Sequence, residues 1–155
     1  TRVCAQDGPV TKETVSKVCK RWCRQGYSVS KHGFCIKFHT ADRNRAEAEK
    51  ICQSEGGHLM NPDTKERWLD YENISKPYSD RSFWVDGIRR KAPGPWSFVK
   101  GSNPVTNGVA QWYTREPSNG HTELCLLGKY HNGQLYRYDN ACHHTTRSVC
   151  EIRMN

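Results

Sequence analysis

The sequence contains no uninterrupted apolar run of about 18 residues, the length that a helix needs to cross a bilayer. We therefore predict no membrane insertion. An internal repeat and a low-complexity tract are also absent, and residues 1–22 carry no heptad repeat that would drive oligomerisation. The length of 155 residues allows one domain with a hydrophobic core but is too short for two comfortable ones.

Acidic side chains are scarce relative to basic ones: the chain has 16 Asp and Glu against 24 Lys and Arg, a formal net charge of +8. This balance raises the rate of encounter with anionic partners but carries no information about the fold. Two interpretations stay open, an ordinary soluble basic surface or a surface that binds an anionic polysaccharide. Basic residues recur in two short segments, at Lys17, Lys20, Arg21 and Arg24 and again at Arg89, Arg90 and Lys91.

The chain also lacks a CxxC pair, the motif typical of a metal or redox site in a cytosolic protein, although it has eight cysteines. An even number of cysteines without that motif indicates disulfides and an oxidising compartment, so we expect a secreted protein. The sequence begins at Thr1 without a charged and apolar leader, and we expect any signal peptide to have been removed. The triplet Asn73-Ile74-Ser75 is an N-glycosylation acceptor and predicts a glycoprotein modified at Asn73.

Local patterns predict a helix and a hairpin near the start of the chain. Val15 and Val18 lie at helical spacing within residues 10–24, which indicates a short amphipathic helix. The segment CRQGYSVSKHGFCIKF, residues 23–38, predicts a β-hairpin, because aromatic and β-branched residues flank the Lys31-His32-Gly33 turn.

Two longer helices are predicted next. The first has good helix formers after Thr40, a plausible N-cap, and ends at Gly56-Gly57. The second follows Asn61-Pro62, with asparagine as the cap and proline at the first helical position. Its spacing directs Trp68 and Tyr71 toward the core.

The rest of the chain is predicted to be strands and one long loop. The segment RSFWVDGI, residues 81–88, has the pattern of a buried strand. Residues 89–109 lack periodicity and are rich in Gly, Pro, Asn and Ser, which predicts a long loop, and Trp96 and Phe98 indicate that it packs back onto the domain. Helices followed by mostly antiparallel strands indicate an α+β domain. The four further strands are predicted at Gln111–Tyr113, Leu124–Tyr130, Gln134–Tyr138 and Ser148–Ile152.

Several motifs recur in order along the chain. Cys52 precedes Gly56-Gly57-x-Leu59, and Trp84-Val85-Asp86-Gly87-Ile88 has the form of a Trp-Ile-Gly-Leu strand with one extra residue. Trp112 precedes Glu116-Pro117 by four residues, and three closing cysteines follow at Cys125, Cys142 and Cys150. These motifs resemble those of the C-type lectin-like domain over about residues 23–152. The resemblance implies two helices flanking mostly antiparallel sheets, with a long loop on one side and four disulfides.

The resemblance also implies a domain boundary and a disulfide pattern. Residues 23–155 would form the single globular C-type lectin-like domain, and residues 1–22 an N-terminal extension with a short helix. The long form of the family implies the pairs Cys23 with Cys35, Cys52 with Cys150, and Cys125 with Cys142. Cys4 and Cys19 then remain, and we pair them with each other.

In the family, calcium is held by a Glu-Pro-Asn motif, a second Glu before the next cysteine, and a Trp-Asn-Asp motif, and the ion binds the sugar directly. Carried over by position, the implied calcium and sugar ligands here are Glu116, Ser118, Glu123 and Asp139. Three of these are carboxylates, which suit a hard cation and would repel one another without one. The resemblance also implies a cis peptide bond before Pro117.

The two amide ligands of the family motif are changed. Ser118 replaces the first asparagine and Tyr138 the second, while Arg137 stands at the tryptophan position. A serine hydroxyl is a weaker and shorter ligand than an amide oxygen. Asn119 and Asn140 each lie one residue beyond a lost amide, and a local backbone shift would let them substitute.

We therefore expect a secreted lectin that binds glycans or glycoproteins through Ca²⁺ at a variant Glu-Pro-Ser site. The alternative is a calcium-independent module that binds a protein or an anionic glycan on the same scaffold. We predict no enzymatic activity, because no nucleophile and base are paired in the sequence, and no nucleic-acid binding. The preferred sugar does not follow from the sequence, because Glu-Pro-Ser matches neither the mannose-type nor the galactose-type motif.

Overall fold

The computed structural model describes residues 23–24, 26–103 and 112–153, which form two helices against a seven-stranded sheet. The strand order is β1-β2-β7-β4-β5-β6, with β3 paired to β7, and only the β4–β7 pair is parallel among the described strands. This arrangement confirms the predicted α+β class. The elements are β1 (Ser28–Val29), β2 (Cys35–Arg43), α1 (Arg45–Ser54), β3 (His58–Leu59), α2 (Lys65–Ser75), a 3₁₀ turn (Lys76–Tyr78), β4 (Phe83–Ile88), β5 (Cys125–His131), β6 (Gln134–Asn140) and β7 (Thr146–Ile152).

The predicted hairpin is confirmed as the antiparallel pair β1–β2, but β2 is longer than expected. It continues to Arg43, which pairs with Thr146 of β7 beyond a bulge. The prediction that Thr40 caps the first helix is therefore wrong, because Thr40 belongs to the strand. The cap is Asn44, which accepts the N–H of Glu47 at 2.9 Å, while the Glu47 carboxylate accepts the N–H of Asn44 at 3.1 Å.

The start of the second helix was also misplaced from sequence. Thr64 caps α2, and its hydroxyl accepts the N–H of Arg67 at 3.1 Å. Asn61 is instead buried and donates through its side-chain amide to the carbonyls of Lys100 and Ser102, at 2.9 and 2.7 Å. The asparagine therefore holds the long loop rather than a helix end.

Each helix covers one face of the sheet. Trp68 and Tyr71 of α2 are buried, as predicted, in one core cluster with Phe83 and Val85. Helix α1 contributes to a second cluster that contains Trp84. Because successive residues of a strand point to opposite faces, β4 joins the two clusters, which explains why Phe83, Trp84 and Val85 are all apolar. Trp96 and Phe98 of the long loop pack on the first cluster, as predicted.

A bulge in β4 takes up two residues more than its partner β5, and it includes the extra residue of the sequence motif. Trp84 pairs with Leu127 and Ile88 pairs with Cys125, so β4 advances from 84 to 88 while β5 spans only 125 to 127. Gly87 within the bulge has φ of +136°, a conformation that favours glycine. The bulge leaves Asp86 buried beneath the long loop.

Three predicted disulfides are confirmed: Cys23–Cys35, Cys52–Cys150 and Cys125–Cys142. Cys4 and Cys19 lie outside the described residues, so a fourth disulfide is not confirmed. Residues 10–22 of the segment with the predicted short helix also lie outside them. The boundary between residues 22 and 23 stays a prediction. Of the strand predicted at residues 111–113, the described part is a single parallel bridge from Trp112 to Arg137.

Candidate functional site

Four residues expected to act together meet at the sheet edge. We call Glu116, Ser118, Glu123 and Asp139 the Glu-Pro-Ser edge. Asp139 lies near the end of β6, and the other three lie on the irregular segment before β5. The Ser118 N–H donates to Asp139 Oδ1 at 2.9 Å and its hydroxyl donates to Glu123 Oε1 at 2.7 Å. The peptide bond between Glu116 and Pro117 is cis.

The two asparagines proposed as substitutes behave differently. The backbone N–H of Asn119 donates to Asp139 Oδ2 at 2.8 Å, so this residue joins the edge. Asn140 Oδ1 accepts the neighbouring N–H of Ala141 at 2.8 Å, which is a local backbone contact. The geometry thus brings Asn119 into the site and leaves Asn140 outside its hydrogen-bond network.

Glu116 and Asp139 share a hydrogen bond, and their pKa values move apart. Burial and the bond to Asp139 raise the pKa of Glu116 to about 7. Burial also acts to raise the pKa of Asp139, but hydrogen bonds from Glu116, Asn119 and Ser118 outweigh it and hold that pKa below its ordinary value. Two close carboxyls favour one shared proton between them.

Arg89 is the main site residue that sequence reasoning missed, since the sequence grouped it only with Arg90 and Lys91 as a basic segment at the start of the long loop. It follows β4 directly and is 4% exposed. Its Nη2 lies 2.7 Å from Asp139 Oδ2, and its Nη1 lies 2.9 Å from Asn119 Oδ1. Its Nε and Nη2 both donate to the carbonyl of Glu123, at 3.1 and 2.8 Å. The position of a basic residue immediately after the core strand was the one feature of the sequence that could have indicated this role.

The donor set does not fit a calcium ion in this arrangement. Asp139 Oδ1 accepts the N–H of Ser118, and Oδ2 accepts the N–H of Asn119 and the guanidinium of Arg89. Asp139 also shares a hydrogen bond with Glu116. A carboxylate has about four lone-pair positions, so these bonds use its accepting capacity. Tyr138, at the position of the second amide, supplies a ring instead of an amide oxygen.

Four rings lie beside the edge, and we call Tyr113, His131, Tyr136 and Tyr138 the ring cluster. Tyr113 stacks on His131 with centroids 3.9 Å apart and on Tyr138 at 5.3 Å, and Tyr136 meets Tyr113 edge-on at 5.4 Å. The Tyr138 hydroxyl bonds to His131 Nε2. Burial raises the pKa of Tyr138, with smaller contributions from Tyr113 and Glu116. The cluster and the edge are in contact, since the backbone N–H of Glu116 donates to the carbonyl of Tyr113 at 2.8 Å. All four rings are half-buried and present partial surface to solvent.

Arg137 fills the place of the family's tryptophan by stacking on another one. Its guanidinium lies 4.3 Å from the centroid of Trp112, and Arg89 lies 4.3 Å from that of Trp96. The two tryptophans are themselves 6.1 Å apart. Burial lowers the pKa of Arg137 to about 10. The Arg137 and Arg89 side chains therefore pack against aromatic faces on the inner side of the site.

A separate basic cleft lies in the long loop. It has a volume of about 510 Å³ and is lined by Arg90, Lys91, Gly94, Pro95 and Ser97. Arg90 and Lys91 are exposed, in contrast to Arg89. Of the basic segment at Arg89, Arg90 and Lys91, the first residue is therefore buried and the other two lie on the surface.

The family model described as Lectin C-type domain matches residues 41–152. The chain belongs to the C-type lectin domain family. This confirms the resemblance, and the C-type lectin family is one of lectins rather than enzymes. Human C-type lectin domain family 4 member D is 26% identical over 115 residues, covering 73% of this chain and 51% of the relative. Mouse asialoglycoprotein receptor 2 is 30% identical over 131 residues, covering 79% of this chain and 40% of the relative. This C-type lectin chain therefore spans about half, or less, of the length of these relatives.

Solved structures with the C-type lectin fold include forms that differ in calcium dependence. A Ca²⁺-dependent type II antifreeze protein in its Ca²⁺-free form aligns with a TM-score of 0.71 at 20% identity, covering 84% of this chain and 100% of that one. A calcium-independent type II antifreeze protein aligns with a TM-score of 0.68 at 21% identity, covering 84% and 93%. The C-type lectin domain of murine dendritic cell inhibitory receptor 2, in complex with N-glycan, aligns with a TM-score of 0.69 at 18% identity, covering 86% and 100%. At these identities the likeness shows the fold alone.

Within the described ranges of this C-type lectin domain, no helix is long and apolar enough to cross a membrane. One group of potential metal ligands occurs in the same ranges: His39, Glu55 and Cys150. Cys150 is bonded to Cys52, so its sulfur does not supply the thiolate that binds a metal.

Proposed function

We propose that this domain is a secreted carbohydrate-binding module that holds a glycan at the Glu-Pro-Ser edge and the adjoining ring cluster. The observation that carries the proposal is the contact between these two surfaces, one polar and one aromatic. A sugar offers hydroxyls that hydrogen-bond to carboxylates and hydroxyls, and an apolar ring face that packs on an aromatic ring. Family membership supports the same function.

The chemistry of the edge suits sugar hydroxyls. Ser118 is exposed, and Glu116 and Glu123 are half-buried, so polar oxygens remain within reach of a ligand. Asp139 is buried and acts by ordering Ser118 and Asn119 through their backbone N–H groups. We assign ligand contact to Glu116, Ser118 and Glu123 and a positioning role to Asp139.

Two forms of the proposal differ in the cation. In one, Ca²⁺ held by Glu116, Ser118, Glu123 and Asp139 coordinates the sugar, as the sequence predicts. In the other, the glycan is bound without metal. The hydrogen bonds that already occupy Asp139 favour the second form.

A glycan array with the purified chain, probed in calcium and again in EDTA, tests the proposal. We expect glycan signals that persist in EDTA. Tyr136→Ala removes one ring of the cluster and should weaken binding about threefold to tenfold. Tyr78→Ala, a half-buried tyrosine elsewhere in the fold, is the matched control and should bind as wild type. Signals lost only in EDTA would support the calcium form, and the absence of any glycan signal in either buffer would reject carbohydrate binding.

A second candidate ligand is an anionic glycan at the basic cleft. The observation that favours it is the pairing of exposed Arg90 and Lys91 in a cavity of about 510 Å³ on a chain of net charge +8. Heparin is a suitable probe. The double variant Arg90→Ala/Lys91→Ala should elute from heparin at lower salt than Lys50→Ala/Lys65→Ala, which removes the same charge from exposed helix positions. Equal elution of the two variants would exclude the cleft as the binding site.

A further inference from the structure

We propose that the Arg89 guanidinium takes the place of a metal ion as the resident cation of the Glu-Pro-Ser edge, so that the order of this edge does not depend on calcium. The inference concerns the site of the proposed function but not its ligand. It follows from the mismatch between the donor set and a calcium ion.

The contacts of Arg89 connect the same segments that a bound ion would connect. From the end of β4 its guanidinium reaches Asp139 of β6 at 2.7 Å and Asn119 at 2.9 Å. It also reaches the carbonyl of Glu123 at 2.8 Å, just before β5. One side chain therefore ties β4, β6 and the segment before β5 together.

Burial shows that this contact is part of the interior. The side chains of Arg89 and Asp139 are 1% and 0% exposed, and the guanidinium also packs on the face of Trp96 at 4.3 Å. A buried ion pair keeps its attraction, because little water or salt screens it. Separating the pair would leave Asp139 or Arg89 as an uncompensated charge.

Charge decides between the two cations. A calcium ion at the edge would need Asp139 as a ligand and would stand beside the fixed positive charge of Arg89. It would therefore have to displace the guanidinium from Asp139 and overcome its repulsion at short range. The exchange of both amide ligands, to Ser118 and Tyr138, further lowers the number of oxygen donors left for an ion.

The acceptors around Arg89 suit a guanidinium. This group presents several N–H donors in one plane, and here they meet a carboxylate, an amide oxygen and a backbone carbonyl. Lysine has a single ammonium and would not reach all three acceptors with the same geometry. The geometry thus gives Arg89 a positioning role for the ligand-binding segment.

Calcium titration of the wild-type chain is the first test and needs no variant. We expect no change in Tm between millimolar calcium and EDTA, and no tryptophan-sensitised luminescence from added terbium. A rise in Tm with calcium that EDTA reverses would overturn the proposal. Glycan binding is measured separately by the array. A calcium-dependent Tm would therefore reject the role of Arg89 without rejecting carbohydrate binding, and an array without glycan signals would reject carbohydrate binding without rejecting the role of Arg89.

The variant Arg89→Met tests the cause. Removing the guanidinium should lower Tm in EDTA and produce a calcium-dependent rise in Tm that the wild type lacks, because Asp139 then loses its buried counter-charge and becomes free to bind a metal ion. Arg90→Met is the matched control, since Arg90 is exposed, and should respond to calcium as wild type does. Equal Tm and equal calcium response for Arg89→Met and wild type would refute the role of Arg89. If Arg89→Met does not fold, the wild-type titration still decides the proposal.

Discussion

The carboxylate of Asp86, buried in β4, accepts the backbone N–H of Val99 at 2.8 Å across 13 residues of chain. It also accepts the N–H of Lys100 at 3.4 Å and faces Arg45 of α1 at 3.4 Å. Burial raises the pKa of Asp86, while these N–H groups and Arg45 oppose the shift. Asp86 therefore holds the long loop near its midpoint, and Asn61 holds the adjoining residues through the carbonyls of Lys100 and Ser102.

Replacing Asp86 with alanine should destabilise the domain by about 2–4 kcal/mol, because the loop N–H groups and the Arg45 charge lose their buried partner. Urea unfolding measures the change in free energy of unfolding. Asp80→Ala is the control, since the Asp80 side chain is 73% exposed, and should change it by less than about 0.5 kcal/mol. A loss for Asp86→Ala no larger than for the control would contradict the anchoring role.

The disulfide between Cys52 and Cys150 should contribute more to stability than the one between Cys125 and Cys142. The first closes a separation of 98 residues and the second one of 17. Loop-closure entropy predicts about 4–5 kcal/mol for the first and about 3 kcal/mol for the second. Paired Cys→Ala variants of each bridge, compared by denaturant unfolding, test this order. If removing Cys125–Cys142 lowers the free energy of unfolding as much as removing Cys52–Cys150 does, loop-closure entropy does not determine the contribution of these disulfides.

Gly57 should not tolerate alanine. A Cβ at this position would lie 2.3 Å from the Glu151 carbonyl oxygen, a backbone atom that cannot rotate away. We expect a loss of about 1–3 kcal/mol or more from overpacking, measured by thermal or denaturant unfolding. Gly133→Ala is the comparison, because a Cβ there would meet nothing within 4 Å and would carry only the strain of φ +78°. A smaller loss of stability for Gly57→Ala than for Gly133→Ala would contradict the close approach of Gly57 to the Glu151 carbonyl.

Glu55 should stabilise the domain in a pH-dependent way. Burial acts to raise the pKa of its carboxyl, but hydrogen bonds from Lys37 and His39, both at 2.9 Å, and from Tyr27 outweigh this and lower the pKa below 4.5. A folded-state pKa below the unfolded one gives stability that is present above about pH 4.5 and is lost as the pH falls through the folded value.

Glu55→Gln should therefore be less stable than wild type at pH 7, by about 1 kcal/mol because the site is partly exposed, with the difference shrinking below pH 4.5. Urea unfolding across pH 3–7 measures it. Glu47→Gln changes an exposed capping residue and separates a general charge effect from the Glu55 cluster. A stability difference between wild type and Glu55→Gln that grows as the pH falls would contradict the lowered pKa of Glu55.

The sequence predicted the core residues correctly from the spacing of apolar side chains, and three disulfides correctly from the cysteine motifs of the family. Trp68 and Tyr71 recur on one helix face and Phe83 to Val85 form an apolar strand, and these residues belong to the two core clusters. Prediction failed at caps. Thr40 and Asn61 are good cap residues, but Thr40 lies within β2, which pairs with β7 on either side of it. Asn61 instead donates to the carbonyls of Lys100 and Ser102. Tertiary pairing outweighed local cap preference at both positions.

The sequence by itself, through the motifs that resemble the family, determined the α+β class, the family and three of the disulfides, and it placed Glu116, Ser118 and Asn119 near Asp139. Only the tertiary structure decided that Arg89 lies inside the site rather than on a basic surface. The reason is that the charge of an arginine does not identify its partner: Asp139 is 50 residues away, and burial of both side chains turns an ordinary loop cation into the counter-charge of the edge.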